Sequence, residues 1–309
     1  MSLKGRDIIS IRDLSKDDIQ LVLSTAEKME TYARGEKISK LMDGKILGTL
    51  FFEPSTRTRL SFTSAMQRLG GSVMGFSGTS ITSIMKGENL TDTIRTVERY
   101  CDVIVMRHPM EGSARLAADV SNKPVVNGGD GGNQHPTQTL LDLYTIQKVK
   151  GKIKGLDIVL LGDLKYARTM RSLSYALAMF DANLTFVSPK GLEMSNDVLT
   201  EIEDNFGKKP LQTTDIDAGL RKADVVYICR IQKERFDDKF EAERLQKEFR
   251  ITPETLGKCK DEVAILHPLP KITEIDPRVD GMKCAKYFDQ TFYGVPVRMA
   301  LLSLIIGVI

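Results

Sequence analysis

Two parallel-sheet α/β domains of similar size, with the site in the cleft between them, are the fold this sequence predicts. Three observations carry the prediction. Short apolar runs alternate with longer amphipathic stretches in both halves, which is the pattern of βα units. The chain has 309 residues, long for one core when domains of about 150 residues are the default. A glycine-bounded break, Gly151-Lys-Ile-Lys-Gly155, separates the two series and is the expected hinge. The expected domains are therefore 1–150 and 151–291, with a C-terminal helix over 292–309 packing back on the first.

Composition narrows the function classes. Hydrophobic residues make up 41% and charged residues 28% of the chain, the balance of a soluble globular protein. The net charge is 44 − 41 = +3 with no Lys/Arg block, so no nucleic-acid partner is expected. The start, Met1-Ser-Leu-Lys-Gly-Arg-Asp7, has no apolar core or cleavage pattern, so a cytoplasmic location is expected. The longest apolar run, Met299 to Ile309, is about half a membrane span and reads as a buried terminal helix. Four scattered cysteines without a CxxC pair read as free thiols.

Taken in order, Ser15-Lys-Asp-Asp18 has the form of a capping box. It opens a helix whose apolar stripe is Ile19, Val22, Leu23, Ala26 and Met29, closed by Gly35. Leu50-Phe51-Phe52 reads as a buried strand ended by Glu53-Pro54. Ser55 is a candidate N-cap, and Leu60, Phe62, Ala65, Met66 and Leu69 give a helical stripe up to Gly70-Gly71. That helix start carries Thr56, Arg57, Thr58 and Arg59 and no carboxylate in its first turn. Free backbone N–H groups, the positive end of a helix dipole, hydroxyls and guanidinium groups together suit a phosphate. Arginines two apart point to different sides of a helix, so Arg57 is expected on the phosphate and Arg59 in a structural role.

Ser72 to Phe76 is the next expected strand, followed by a small-residue loop, Ser77 to Gly87, suited to a flap carrying Lys86. Glu88 to Tyr100 reads as helix, Val103 to Met106 as strand, Ser113 to Val120 as helix and Val125 to Asn127 as strand. A glycine-rich turn, Gly128 to Gly132, leads to Pro136, placed as a helix N1 proline, and a helix to Lys150. The second series has strands at Asp157–Leu161 and near Leu184–Val187, Val225–Cys229 and Val263–Leu266, with a helix running through Phe180 after the first of them.

Ligands of open parallel sheets bind beyond the carboxyl ends of the strands. The segments leaving the strands here are Ser55–Arg59, Arg107-His108, His135-Pro-Thr-Gln138, Gly162-Asp-Leu-Lys-Tyr-Ala-Arg168, Arg230-Ile-Gln232 and His267-Pro-Leu-Pro270. Arginine, histidine and glutamine dominate, the set for an anionic substrate and for developing negative charge. His135 and Gln138 share a turn and suit an amide-like carbonyl, while Arg168 and Arg230 suit a small dicarboxylate. The three histidines all precede proline, without ligand spacing, so no metal is expected. One glycine at Gly162 is too few for a dinucleotide fingerprint, and no Walker motif occurs, so no cofactor is expected.

These motifs, in this order, resemble the aspartate/ornithine carbamoyltransferase family. Phe52-Glu-Pro-Ser-Thr-Arg-Thr-Arg59 is similar to its carbamoyl-phosphate signature; the later motifs through Phe288-Asp-Gln290 resemble its aspartate branch. The ornithine branch would show Cys near Gln138, His-Cys-Leu-Pro at 267–270 and a Ser-Met-Gly segment, none of which is present. The resemblance implies that Ser55, Thr56, Arg57, Thr58 and Arg107 bind the phosphate of carbamoyl phosphate. It implies that Thr58, Arg107, His135 and Gln138, with the Leu269 and Pro270 backbone, hold the carbamoyl group. Arg57, Thr58, Arg107 and His135 are the implied catalytic residues. Arg168, Arg230, Gln232 and Lys86 would hold L-aspartate, with Leu269-Pro270 a cis peptide. Ser83 and Lys86 would come from an adjacent subunit of a homotrimer, and the Ser83–Lys86 spacing is one residue shorter than in some members. A regulatory chain in a larger assembly and a place in pyrimidine biosynthesis are also implied. The alternatives are an ornithine or other amino-acid carbamoyltransferase, a nucleotide-dependent dehydrogenase, and a non-catalytic binding protein of the same fold.

Overall fold

The computed structural model describes residues 2–78, 83–232, 236 and 238–309. The chain divides into two compact units, Met1–Tyr144 with Phe292–Ile309, and Thr145–Thr291. Two expected features fall partly outside the described residues: 79–82 of the small-residue loop, and 233–235 of the segment that begins at Arg230.

The first unit is a parallel sheet in the order β2-β1-β3-β4. Its strands are β1 (Ile46–Phe51), β2 (Ser72–Ser77), β3 (Val103–His108) and β4 (Val125–Asp130). Helices α1 (Lys16–Ala33), α2 (Thr56–Arg68), α3 (Leu90–Val97), α4 (Ser113–Val120) and α5 (Pro136–Lys150) belong to the same series, α5 running across the unit boundary. The Ser15–Asp18 capping box forms as expected, with Ser15 Oγ accepting from the Asp18 amide at 3.1 Å and the Asp18 carboxylate from the Ser15 amide at 3.0 Å. β1 after its first residue and the first four residues of β3 are buried, as befits strands of a parallel sheet covered by helices. Phe62, Ala65 and Met66 of α2 are fully buried, each large side chain contributing roughly 1.5–3 kcal/mol. The N-terminal segment protects the β4 edge: the Ile8 amide donates to Val125 and the Asn127 amide to Ile8, both at 2.8 Å.

The second unit is a parallel sheet in the order β7-β6-β5-β8-β9. Its strands are β5 (Asp157–Gly162), β6 (Asn183–Val187), β7 (Leu211–Thr213), β8 (Val225–Cys229) and β9 (Ala264–Leu266). Its helices are α6 (Arg168–Met179), α7 (Asn196–Phe206), α8 (Ile216–Leu220), α9 (Lys239–Glu248) and α10 (Pro253–Leu256). The last helix, α11 (Tyr287–Ile306), begins in the second unit and from Phe292 onward belongs to the first. Among the described residues no helix is long and apolar enough to cross a membrane. The four cysteines are free.

Three sequence expectations need correction, and one strand was not expected. The glycine-rich stretch after Val126 continues β4 as far as Asp130, held by Asn127 Oδ1 accepting from the Gly129 amide and Asn127 Nδ2 donating to Asp130. Leu60 is 53% exposed and does not belong to the buried stripe of α2. Ser55 sits at the N-cap but its hydroxyl makes no capping bond. β7 is an edge strand that the sequence pattern does not announce; only three residues long, with Leu211 62% exposed, it has no apolar signal.

Candidate active site

In each sheet the strand order reverses direction once, and the crevice beyond that point is where a ligand of a doubly wound sheet binds. In the first unit the reversal lies between β1 and β3, which pair side by side with Phe51 opposite Arg107. The segments leaving these two strands begin at Phe52 and at Pro109. In the second unit the reversal lies between β5 and β8, with Gly162 opposite Cys229. Asp163 and Arg230 come directly after.

At the first reversal, Pro54 ends the strand and α2 starts at Thr56 with no acid in its first turn. With the Ser55 hydroxyl not spent on a cap, the helix start keeps N–H groups and hydroxyls for an incoming anion. Thr56 and Arg57 are exposed, Ser55 is half-buried, and Thr58 is buried. Thr58 Oγ1 lies 3.4 Å from His135 Nε2, and His135 Nδ1 lies 3.5 Å from Thr137 Oγ1. His135 itself is 4% exposed, at the start of α5. The turn that delivers it is fixed by Asp130, which accepts from the Gln134 amide and from Asn133 and Asn127 side chains. Arg107, at the end of β3, donates from Nε to Glu53 Oε1 at 2.6 Å. Gln138, 9% exposed, donates from Nε2 to Asp142 Oδ1 at 2.9 Å.

Next to Arg107, His108 accepts the Met110 amide on Nδ1 at 3.0 Å and packs on Phe52, ring centroids 4.7 Å apart. Burial holds its imidazole below the ordinary range. That role is structural.

At the second reversal, Gly162 has φ +120°, and a Cβ there would stand 2.0 Å from the Cys229 carbonyl oxygen. Only glycine permits so close an approach of β5 to β8. Asp163, fully buried, accepts the Tyr166 amide at 2.9 Å and Gln232 Nε2 at 3.2 Å. Burial pushes its carboxyl up, against the pull of those hydrogen bonds. Arg168 opens α6 and Arg230 comes after β8, both half-buried. Beyond β9, His267 Nδ1 accepts the Leu269 amide at 2.8 Å while Nε2 lies 2.8 Å from Glu274 Oε1. An accepting Nδ1 fixes the proton on Nε2, so this histidine is neutral and donates to the carboxylate. Glu274 Oε2 also accepts the Ile272 and Thr273 amides. The Leu269-Pro270 peptide is cis.

Ser83 and Lys86 are exposed on the 3-10 turn Ser83–Lys86, where the Glu88 amide bonds back to the Ser83 carbonyl at 3.4 Å. Thr58 and His135 are thus in direct reach of each other, and Gln232 is tied to Asp163. Two residues that sequence reasoning missed stand beside expected ones, Glu53 beside Arg107 and Asp142 beside Gln138. Glu53 was readable in principle, since it lies just past the β1 strand. Asp142 carries the signal of i,i+4 spacing from Gln138.

Comparison with known proteins covers nearly the whole chain. Residues 6–148 match the family model described as aspartate/ornithine carbamoyltransferase, carbamoyl-P binding domain, and residues 154–305 match its Asp/Orn binding domain. The aspartate carbamoyltransferase catalytic subunit of Thermococcus kodakarensis is 56% identical over 309 residues, covering 100% of this chain and 99% of its own. That of Archaeoglobus fulgidus is 52% identical over 298 residues, covering 96% and 98%. Among solved structures, the catalytic subunit of M. jannaschii aspartate transcarbamoylase superposes with a TM-score of 0.92 at 47% identity, covering 98% of each chain. Aspartate transcarbamoylase from Trypanosoma cruzi, in complex with N-(phosphonacetyl)-L-aspartic acid, gives 0.93 at 38% identity over 98% of this chain and 96% of that one.

Proposed function

The chain belongs to the aspartate/ornithine carbamoyltransferase family, and from that premise we propose that it transfers the carbamoyl group of carbamoyl phosphate to L-aspartate. The products are N-carbamoyl-L-aspartate and phosphate. The observation that carries this reading is the pairing of an uncapped, acid-free helix start with the buried Thr58–His135 contact beside the first strand reversal. A phosphate and a carbonyl can be held there side by side. The T. cruzi relative has been solved with carbamoyl aspartate and phosphate, and with carbamoyl phosphate and aspartate.

In this reading the segment 1–150 with 292–309 binds carbamoyl phosphate and 151–291 binds aspartate. Ser55, Thr56, Arg57, Thr58 and Arg107 take the phosphate. Thr58, Arg107 and His135 donate to the carbamoyl oxygen, and Gln138 with the Leu269 and Pro270 carbonyls receives the carbamoyl NH₂. Arg168, Arg230, Gln232 and Lys86 meet the two carboxylates of aspartate. The α-amino group attacks the carbamoyl carbon, and the oxygen that becomes anionic is met by the three donors. Loss of one such donor costs about 10²–10³ in kcat. The departing phosphate accepts the proton lost by the amine, and prior binding of carbamoyl phosphate supplies the orientation. Arg107 exchanges Glu53 for substrate oxygen when carbamoyl phosphate arrives.

The assembly in this reading is a homotrimer in which Ser83 and Lys86 complete a neighbour's site, with a regulatory chain as a further partner. Its place is pyrimidine biosynthesis in the cytoplasm. The test is an assay of carbamoyl phosphate with L-aspartate, ornithine and related amines. Aspartate is expected to be the preferred acceptor. Carbamoylation of ornithine with aspartate inert would overturn the reading.

A further inference from the structure

Gln138 ends in an amide with two unlike faces, an accepting oxygen and a donating NH₂. The carbamoyl group has the same two faces. A glutamine able to turn over could therefore offer its NH₂ to the carbamoyl NH₂ and repel it. Something must fix the amide, and in the proposed pocket the useful orientation puts Oε1 toward the substrate.

Asp142 lies four residues on along α5, on the same helix face. Its side chain is fully buried, and its Oδ1 receives Gln138 Nε2 at 2.9 Å. An ionised carboxylate only accepts, so the opposite orientation would set oxygen against oxygen. A buried carboxylate needs a compensating charge nearby. Arg298, 3% exposed on α11, carries a charge that interacts with that of Asp142. Burial pulls the Arg298 guanidinium down to about 10, and the charge of Asp142 opposes that pull. The same guanidinium lies 4.9 Å from the centre of the Phe62 ring and donates from Nη1 to Ser61 Oγ. Ser61 Oγ is within donating distance of the Arg57 carbonyl at 2.6 Å and the Thr58 carbonyl at 3.1 Å. Room for Arg298 comes from Gly294 on the same helix, where a Cβ would meet Nη1 at 2.6 Å.

We propose that Asp142 is a positioning residue that locks the Gln138 amide with its oxygen toward the substrate's carbamoyl NH₂. The inference rests on the carbamoyl phosphate reading of the pocket. It makes Asp142 a determinant of selectivity for a carbamoyl over an acyl group, although it does not touch substrate.

Acetyl phosphate is the discriminating probe, because a methyl group replaces the NH₂ at nearly the same size. Binding of carbamoyl phosphate and of acetyl phosphate is measured by calorimetry without aspartate, for the full chain and for Asp142→Asn. The wild type is expected to prefer carbamoyl phosphate. In Asp142→Asn, whose amide no longer dictates orientation, carbamoyl phosphate affinity should fall about tenfold, the worth of one hydrogen bond. Acetyl phosphate affinity should change less than about twofold on the same reasoning. The charge-swapped pair Asp142→Asn with Gln138→Glu restores a fixed acceptor at unchanged net charge and should recover part of the preference. An unchanged ratio in Asp142→Asn, or an equal loss for both mixed anhydrides, overturns the proposal. Should Asp142→Asn fail to fold, Gln138→Met takes its place, and a ratio that survives in Gln138→Met is equally fatal. A wild type that binds neither anhydride fails differently, since it removes the carbamoyl phosphate reading along with the proposal.

Discussion

Replacing Glu274 by glutamine tests how the loop after β9 is held. Three donors converge on this carboxylate: His267 Nε2 at 2.8 Å, the Thr273 amide at 2.9 Å and the Ile272 amide at 3.1 Å. Glutamine keeps the shape but has a single accepting oxygen. If that oxygen serves the two amides, the NH₂ faces the His267 N–H. Turning the His267 tautomer is no escape, because Nδ1 already accepts the Leu269 amide. One donor-against-donor contact is therefore unavoidable in a site where both residues are under 5% exposed. Losing a hydrogen bond to a charged group and leaving a buried donor unmet costs about 2–4 kcal/mol together. The chain has no tryptophan, so urea unfolding is best followed by far-UV circular dichroism at fixed protein concentration. Burial raises the Glu274 carboxyl, but the hydrogen bonds from His267 and the backbone outweigh it and the net direction is downward. A depressed carboxyl contributes stability above its unfolded value, about 4.5, that is lost as pH falls through the folded value. The two proteins should differ most near neutral pH and converge in acid. A loss below about 0.5 kcal/mol, the range of a neutral surface change, would refute the donor accounting.

The remaining expectations concern the pocket and the sheet. Arg57→Ala should abolish turnover while circular dichroism and unfolding stay near wild type; near-normal kcat would remove Arg57 from the phosphate site. Arg230→Ala should raise KM for aspartate with little change in carbamoyl phosphate binding, and an unchanged aspartate response would remove that role. Gly162→Ala should cost about 2–6 kcal/mol, from positive-φ strain and overpacking against Cys229. Gly191→Ala, at φ +89° with nothing within 4 Å of the new Cβ, should cost only about 1–2 kcal/mol from φ alone. Equal losses in urea unfolding would show that the β5–β8 approach is not what glycine serves.

Much of the fold was legible in the sequence where local chemistry and global packing agree. Pro136 sets the start of α5, and its end at Lys150 is bounded by Gly151, so the helix matches its expected limits. Val225–Cys229 is apolar throughout and flanked by polar residues, and β8 spans those residues. The failures share one cause. Gly128 and Gly129 look like a turn, but the Asn127 side chain accepts the Gly129 amide and donates to the Ile9 carbonyl and the Asp130 carboxylate, which keeps the stretch in the sheet. Leu60 fits the spacing of an apolar stripe, yet the burial of its face depends on what stands opposite. In the site, residue types at strand ends were readable. Among their partners, Glu53 for Arg107 is a pairing in space across 54 residues, which spacing does not announce, whereas Asp142 lies at i,i+4 from Gln138 and could have been read.

The first unit closes only with Phe292–Ile309, so its pieces are separated by the entire second unit. During synthesis residues 145–291 are made before the first unit receives its closing segment, which carries the Arg298 on which the charge of Asp142 acts. The usual order, N-terminal domain first, is thereby inverted. Translation must pass Phe292–Ile309 before the first unit can take its final form.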